Sequence, residues 1–182
     1  MVVRHLEDNT PMNLRSCVLL LAVLPAIAPA AGYKSAMLSG DGAGVVITSV
    51  DGSQFDAPSV PDQVAFSSPR VSSDGRYVGW LALFPNCCTS YPVELLLVVL
   101  DESRHMHTFD GTKMAMFGWC FPAKAGTVAY AQGVLHGSDF RNFELRRIAD
   151  GVLVAHYEFP HEEAANALAH NRAPGWVRCV PE

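Results

Sequence analysis

Three hydrophobic runs in this chain each end at an aspartate, and the aspartates stand almost evenly apart. Val50-Asp51-Gly52, Leu100-Asp101-Glu102 and Ala149-Asp150-Gly151 place them 50 and 49 positions from one another. A second landmark keeps the interval: Tyr77-Val78-Gly79-Trp80 and Thr127-Val128-Ala129-Tyr130 are offset by 50. An aspartate side chain accepts a backbone N–H two residues on, and glycine adopts positive φ at no steric cost, so Asp-Gly closes a hairpin. The runs it punctuates (45–50, 77–83, 93–100, 127–130, 143–148 and 152–159) are rich in β-branched and aromatic residues. Short strands with turns at this spacing predict an all-β fold of antiparallel sheets. A period near fifty is that of propeller blades.

The segment Ser68-Pro69-Arg70-Val71-Ser72-Ser73-Asp74-Gly75-Arg76-Tyr77-Val78-Gly79-Trp80 resembles the blade signature of TolB-like, WD40-like β-propeller repeat proteins. There Ser-Pro-Asp-Gly and a basic residue lead into a hydrophobic strand; here Ser73 stands in the proline position. Gly118-Trp119-Cys120-Phe121 followed by Thr127-Val128-Ala129-Tyr130 resembles a second, degenerate copy, and 144–151 resembles an outer strand and its turn. The likeness covers residues 40–160 and implies a blade-forming module, without specifying its function, since proteins of this family mostly bind partners or carry catalytic domains elsewhere. About three such units fit. A closed ring needs at least four, so the expected architecture is an open propeller-like stack, a sandwich, or a ring completed by association with other copies.

The ends differ from this middle. Arg15, the apolar stretch 18–24, Pro25 and Ala28-Pro29-Ala30 follow the n-region, h-region and small-x-small cleavage pattern of a signal peptide. The apolar stretch is far shorter than the roughly 20 residues of a membrane span. The expected division is a leader over 1–30 with Met12 as an alternative start, a β domain over 31–160, and a short helix with a disulfide-anchored tail over 161–182. The helix is read from the acidic, then Ala-rich, stretch 160–170, and 172–179 is read as extended, pinned by Trp176 and Cys179. The leader predicts a periplasmic or secreted protein without a membrane span after cleavage. The net charge is −5 and no Lys/Arg cluster occurs, which argues against a nucleic-acid partner.

Cleavage leaves four cysteines: Cys87, Cys88, Cys120 and Cys179. An even count in an exported chain reads as a disulfide framework. Of three pairings, a bond between the adjacent Cys87 and Cys88 closes a strained ring. The expected pairings therefore join one of these two to Cys120 and the other to Cys179.

Candidate chemistry is sparse. The Pro-flanked loop Pro85-Asn86-Cys87-Cys88-Thr89-Ser90-Tyr91-Pro92 allows a thiol nucleophile with a base such as His136; structural half-cystines are the alternative. His105 and His107 would share one face of a strand, but spacing shows no third ligand, so no metal site and no cofactor are expected. The polar loop 132–142 has the composition of a recognition loop. The binding residues read from these two loops are Tyr91, His136, Asp139, Phe140 and Arg141. The expected function is an exported, non-catalytic β module binding a protein or cell-envelope partner. The second reading is a small thiol- or histidine-dependent enzyme.

Overall fold

The computed structural model describes residues 32–87, 90–111, 114–135, 141–159 and 172–181. The strands are β1 (Tyr33–Leu38), β2 (Val45–Ser49), β3 (Gln54–Asp56), β4 (Ala65–Val71), β5 (Tyr77–Phe84), β6 (Val93–Asp101), β7 (Met106–Phe109), β8 (Ala115–Cys120), β9 (Thr127–Gly133), β10 (Arg141–Arg147) and β11 (Leu153–Phe159). A one-turn helix, α1 (Gly175–Arg178), follows. The strands form three antiparallel sheets in chain order: β1-β2-β3, β4-β5-β6-β7 and β8-β9-β10-β11. Each is a simple meander, and the sheets stack face against face as an open propeller-like array. The leader, the 160–170 segment, Cys88, His136, Asp139 and Phe140 lie outside the described residues.

Alternation along the strands explains the stacking. In β5, Val78, Trp80 and Ala82 face the first sheet, where Tyr33, Val45 and Ile47 meet them. Leu81 faces the third sheet, beside Leu97, Val99, Trp119, Val128 and Tyr130. The second sheet is thus buried on both faces, which is why 95–100 reads as one continuous apolar run rather than an alternating one. Gly79 permits a close approach in this packing: a Cβ there would lie 2.7 Å from the Val98 carbonyl and 3.0 Å from the Trp119 ring.

The periodic aspartates do what their spacing predicted. Asp51, Asp101 and Asp150 each sit at the turn leading into the last strand of a sheet. Each Oδ1 accepts the N–H two residues on, from Ser53 at 2.9 Å, Ser103 at 2.9 Å and Val152 at 3.2 Å. Asp74 does the same for Arg76 at 3.1 Å, and Ser72 Oγ donates to it at 2.6 Å. Gly75 and Gly126, in the β4–β5 and β8–β9 turns, share a φ of 70°.

Two expectations are corrected. Cys120 pairs with Cys179, their Cα atoms 5.9 Å apart and 59 residues apart in sequence. Neither can therefore bond to the Cys87/Cys88 loop; Cys87 is itself disulfide-bonded. The tail is also not extended, because 175–178 forms the helical turn α1. That turn presents Val177 to the outer face of the third sheet, with Ala173 and Val180 buried beside it against Ala129, Ala131, Phe143 and Leu145. Trp176 and Cys179 pack on the same cluster, as their reading as anchors required. The tail thus occupies the face on which a further blade would stack.

Candidate functional site

Antiparallel connectivity sends the turns β4–β5, β6–β7, β8–β9 and β10–β11 to one rim. Between the second and third sheets this rim opens into two adjoining cavities. The first, of about 250 Å³, is lined by Arg76, Tyr77, Asp101, Glu102, Ser103 and His107 on one side and Ile148 on the other. The second, of about 180 Å³, runs between Ser73, Asp74 and Tyr77 and the β8–β9 turn with Phe121, Lys124 and Gly126. Tyr77 separates them and belongs to both.

The side chains here are held by one another. The Tyr77 ring stacks on Phe121, with centroids 6.3 Å apart. The Arg76 guanidinium lies 5.7 Å from the Tyr77 ring centre and 3.4 Å from the Glu102 carboxylate. Asp101 is the hub. Its Oδ2 lies 3.3 Å from His107 Nε2 and 3.4 Å from His105 Nδ1, and its Oδ1 accepts the N–H groups of Ser103 and His105. Partial burial alone would raise the Asp101 carboxyl, but these hydrogen bonds outweigh it and hold the group below the usual carboxylate range. The Asp101 carbonyl also accepts the Tyr33 hydroxyl at 2.5 Å, which ties this hairpin to the first sheet.

His105 and His107 therefore meet, but not as strand neighbours. His105 lies in the turn before β7, and the shared Asp101 carboxylate brings the two rings together. Among the described residues no group of three His, Cys, Asp or Glu is arranged to hold a metal ion.

A second polar cluster is buried between the same sheets. Glu144 accepts from Tyr130 Oη at 2.7 Å, Gln132 Nε2 at 3.0 Å and Arg146 Nε at 2.6 Å. Arg146 also donates to the Gly151 carbonyl at 2.9 Å. Burial would raise the Glu144 carboxyl, yet its donors keep it below the ordinary range. Burial and this carboxylate push the Tyr130 phenol upward, so it remains a donor. Charge is matched and the carboxylate is fully engaged, which makes this a clamp joining β9, β10 and the β10–β11 turn.

Of the residues read from the sequence as binding groups, Tyr91 and Arg141 are described. Tyr91 is 55% exposed in the β5–β6 connection. Arg141 opens β10, with its guanidinium 3.8 Å from the centre of the Phe117 ring. Both lie at the rim opposite the aspartate turns, on different sheets. The sequence reading missed the cleft because its two walls, near positions 76 and 148, are brought together only by sheet stacking. The Ser-x-Asp-Gly turn at 72–75 is the signal that marks one wall.

No family model and no curated protein matches the sequence. Among solved structures, the chain is similar to the β-propeller domain of Cps50 (Swd1) from Myceliophteria thermophila, at a TM-score of 0.43 and 12% identity. The match covers 71% of this chain and 42% of that one, so this chain spans less than half its length. No helix among the described residues is long and apolar enough to cross a membrane.

Proposed function

We propose that this chain is an exported, non-catalytic β module of TolB-like type that binds a protein or cell-envelope partner through the rim cleft between its second and third sheets. The observation that carries the reading is the cleft's composition. Arg76 and Lys124, Asp74 and Glu102, Ser73 and Ser103 surround the Tyr77 ring, which is stacked on Phe121. Charges of both signs with hydroxyls and an aromatic platform suit the mixed surface of a polypeptide. The rigid sheets hold these groups in place, which lowers the ordering cost of binding. Export is supported by the leader pattern and by the Cys120–Cys179 bond, since such bonds persist in oxidising compartments. The thiol-enzyme alternative loses its strongest residue, because a disulfide-bonded Cys87 has no thiolate to attack with.

The test is site-specific photocrosslinking in envelope extract. A photoreactive residue replacing Arg76 or Lys124 should capture one and the same protein. The same probe at Gln54, on the outer face of the first sheet, should not. Capture from all three sites alike, or from none, would remove the cleft from consideration.

A further inference from the structure

Among the described residues the three sheets have six edge strands, and all but one are blunted. The strand β1 carries Lys34, and its Tyr33 N–H donates to the Gly75 carbonyl at 2.7 Å. The outer strands β3 and β7 have only 3 and 4 residues, too short to template another strand. On the inner side, β4 carries Pro69 and an irregular register, with Ser68 at a φ of 50° and its carbonyl capped by Trp119 Nε1 at 3.0 Å. The strand β8 is overlain by the tail at Gly118, where a Cβ would lie 2.5 Å from the Pro181 carbonyl. The strand β11 is the exception. It is 7 residues long, contains neither proline nor lysine, and forms the outer edge of its sheet. Its ladder with β10 is regular from Ala155 to Phe159. Beside that stretch Val152, Leu153 and Val154 are 46%, 46% and 41% exposed.

We infer that two copies of this chain pair through β11, antiparallel, about a two-fold axis at Tyr157. The strand's own sequence selects the register. Ala155, Tyr157 and Phe159 belong to the apolar cluster under the tail, whereas the exposed His156 and Glu158 point to the other face. An axis placed between two residues would set the apolar face of one copy level with the polar face of the other. An axis at His156 sets imidazole against imidazole and leaves Glu158 opposite Val154. An axis at Tyr157 places each His156 opposite the second copy's Glu158, Ala155 opposite its Phe159, and Tyr157 opposite Tyr157. An imidazole facing a carboxylate that can accept its N–H, a small residue beside a large one, and an aromatic pair are combinations that suit antiparallel neighbours. The contact is isologous and closes at two copies.

The test is sedimentation velocity on the mature chain over a dilution series, with hydrogen exchange in parallel. Dimer should dominate at the higher concentrations, and amides of 155–159 should gain protection as concentration rises. Glu158→Lys should give monomer, and the swap His156→Glu with Glu158→Lys should restore the dimer. Monomer at every concentration overturns the inference. So does a dimer indifferent to Glu158→Lys, or exchange at 155–159 that ignores concentration. The charge swap controls for folding, since an unfolded single variant would not be rescued by it.

Discussion

Replacing Gly75 by valine tests both the turn and the joint between sheets. Gly75 has a φ of 70°, a region β-branched residues avoid. A Cβ there would also lie 3.0 Å from the Tyr33 carbonyl, and the Tyr33 N–H donates to the Gly75 carbonyl at 2.7 Å. Gly151, at a φ of 69°, has nothing within 4 Å of the same Cβ. Gly151→Val should therefore cost only the backbone strain, about 2 kcal/mol. Gly75→Val should cost that plus roughly 1 kcal/mol for a disturbed inter-sheet hydrogen bond. Arg76→Ala removes one exposed, solvent-screened ion pair and should leave the urea midpoint almost unchanged. Against a total of about 5–15 kcal/mol these differences are measurable. Urea denaturation of the three variants with disulfides intact separates them. Equal losses for the two glycine changes would refute the inter-sheet contact, and losses as small as that of Arg76→Ala would refute the turn itself.

Arg146→Ala should cost about 3 kcal/mol by urea midpoint, because it leaves the Glu144 carboxylate buried with one charge unmatched. Glu144 titrates below its unfolded value of about 4.3, so its contribution is present above that pH and disappears as pH falls through the depressed folded value. Glu144→Gln should therefore be weaker than wild type at pH 7 and show a shallower acid loss in midpoints measured from pH 7 to 3; parallel curves would refute this. Changing Cys120 and Cys179 to Ser should lower stability by about 4 kcal/mol for a loop of 59 residues, and an apolar dye should bind the uncovered third sheet; unchanged stability would show that the tail is held by packing alone. Protein purified without an affinity tag should contain no stoichiometric zinc or copper by elemental analysis, because the Asp101 carboxylate engages both imidazoles; a metal lost on changing both histidines to Ala would reverse this.

What the chain disclosed of itself follows from which forces are local. Asp51, Asp101 and Asp150 bond within two residues of themselves, so their turns, and the strands those turns end, could be read directly. The strands β1, β3, β4 and β8 were harder. Ser67-Ser68-Pro69 in β4 carries little β propensity, and Gln54-Phe55-Asp56 in β3 has only one strand-favouring residue; they become strands because β5 and β2 offer unpaired edges. The disulfide pairing differs from the expected one because sequence counts cysteines but does not show that the tail folds back over the third sheet and brings Cys179 to Cys120. The cleft was invisible for the same reason: Arg76 and Ile148 share a cavity only after two sheets have stacked.

The open stack also bears on how such a module can associate. A face-to-face ring would need apolar surfaces at both ends of the array. The first sheet's outer face carries Lys34, Gln54 and Asp56 beside a single large exposed apolar group, Met37, with Thr48 Oγ1 accepting from Gln54 Nε2 at 3.3 Å. The third sheet's outer face is covered by Ala173, Val177 and Val180 and fastened by Cys120–Cys179. Polar or capped terminal faces are how stacked repeats stop growing. Stacking another copy would cost either the desolvation of charged groups at one end or displacement of a disulfide-bound tail at the other. Pairing along β11 demands neither, because it adds a strand in the plane of the third sheet and leaves both the tail and the rim cleft as they are. Reducing the staple should therefore uncover the third sheet's apolar face without strengthening β11 pairing, and sedimentation of the Cys120→Ser, Cys179→Ser variant combined with Glu158→Lys reads the two apart. A monomer means that edge pairing is the association; a persisting oligomer means that the face beneath the tail is a second one.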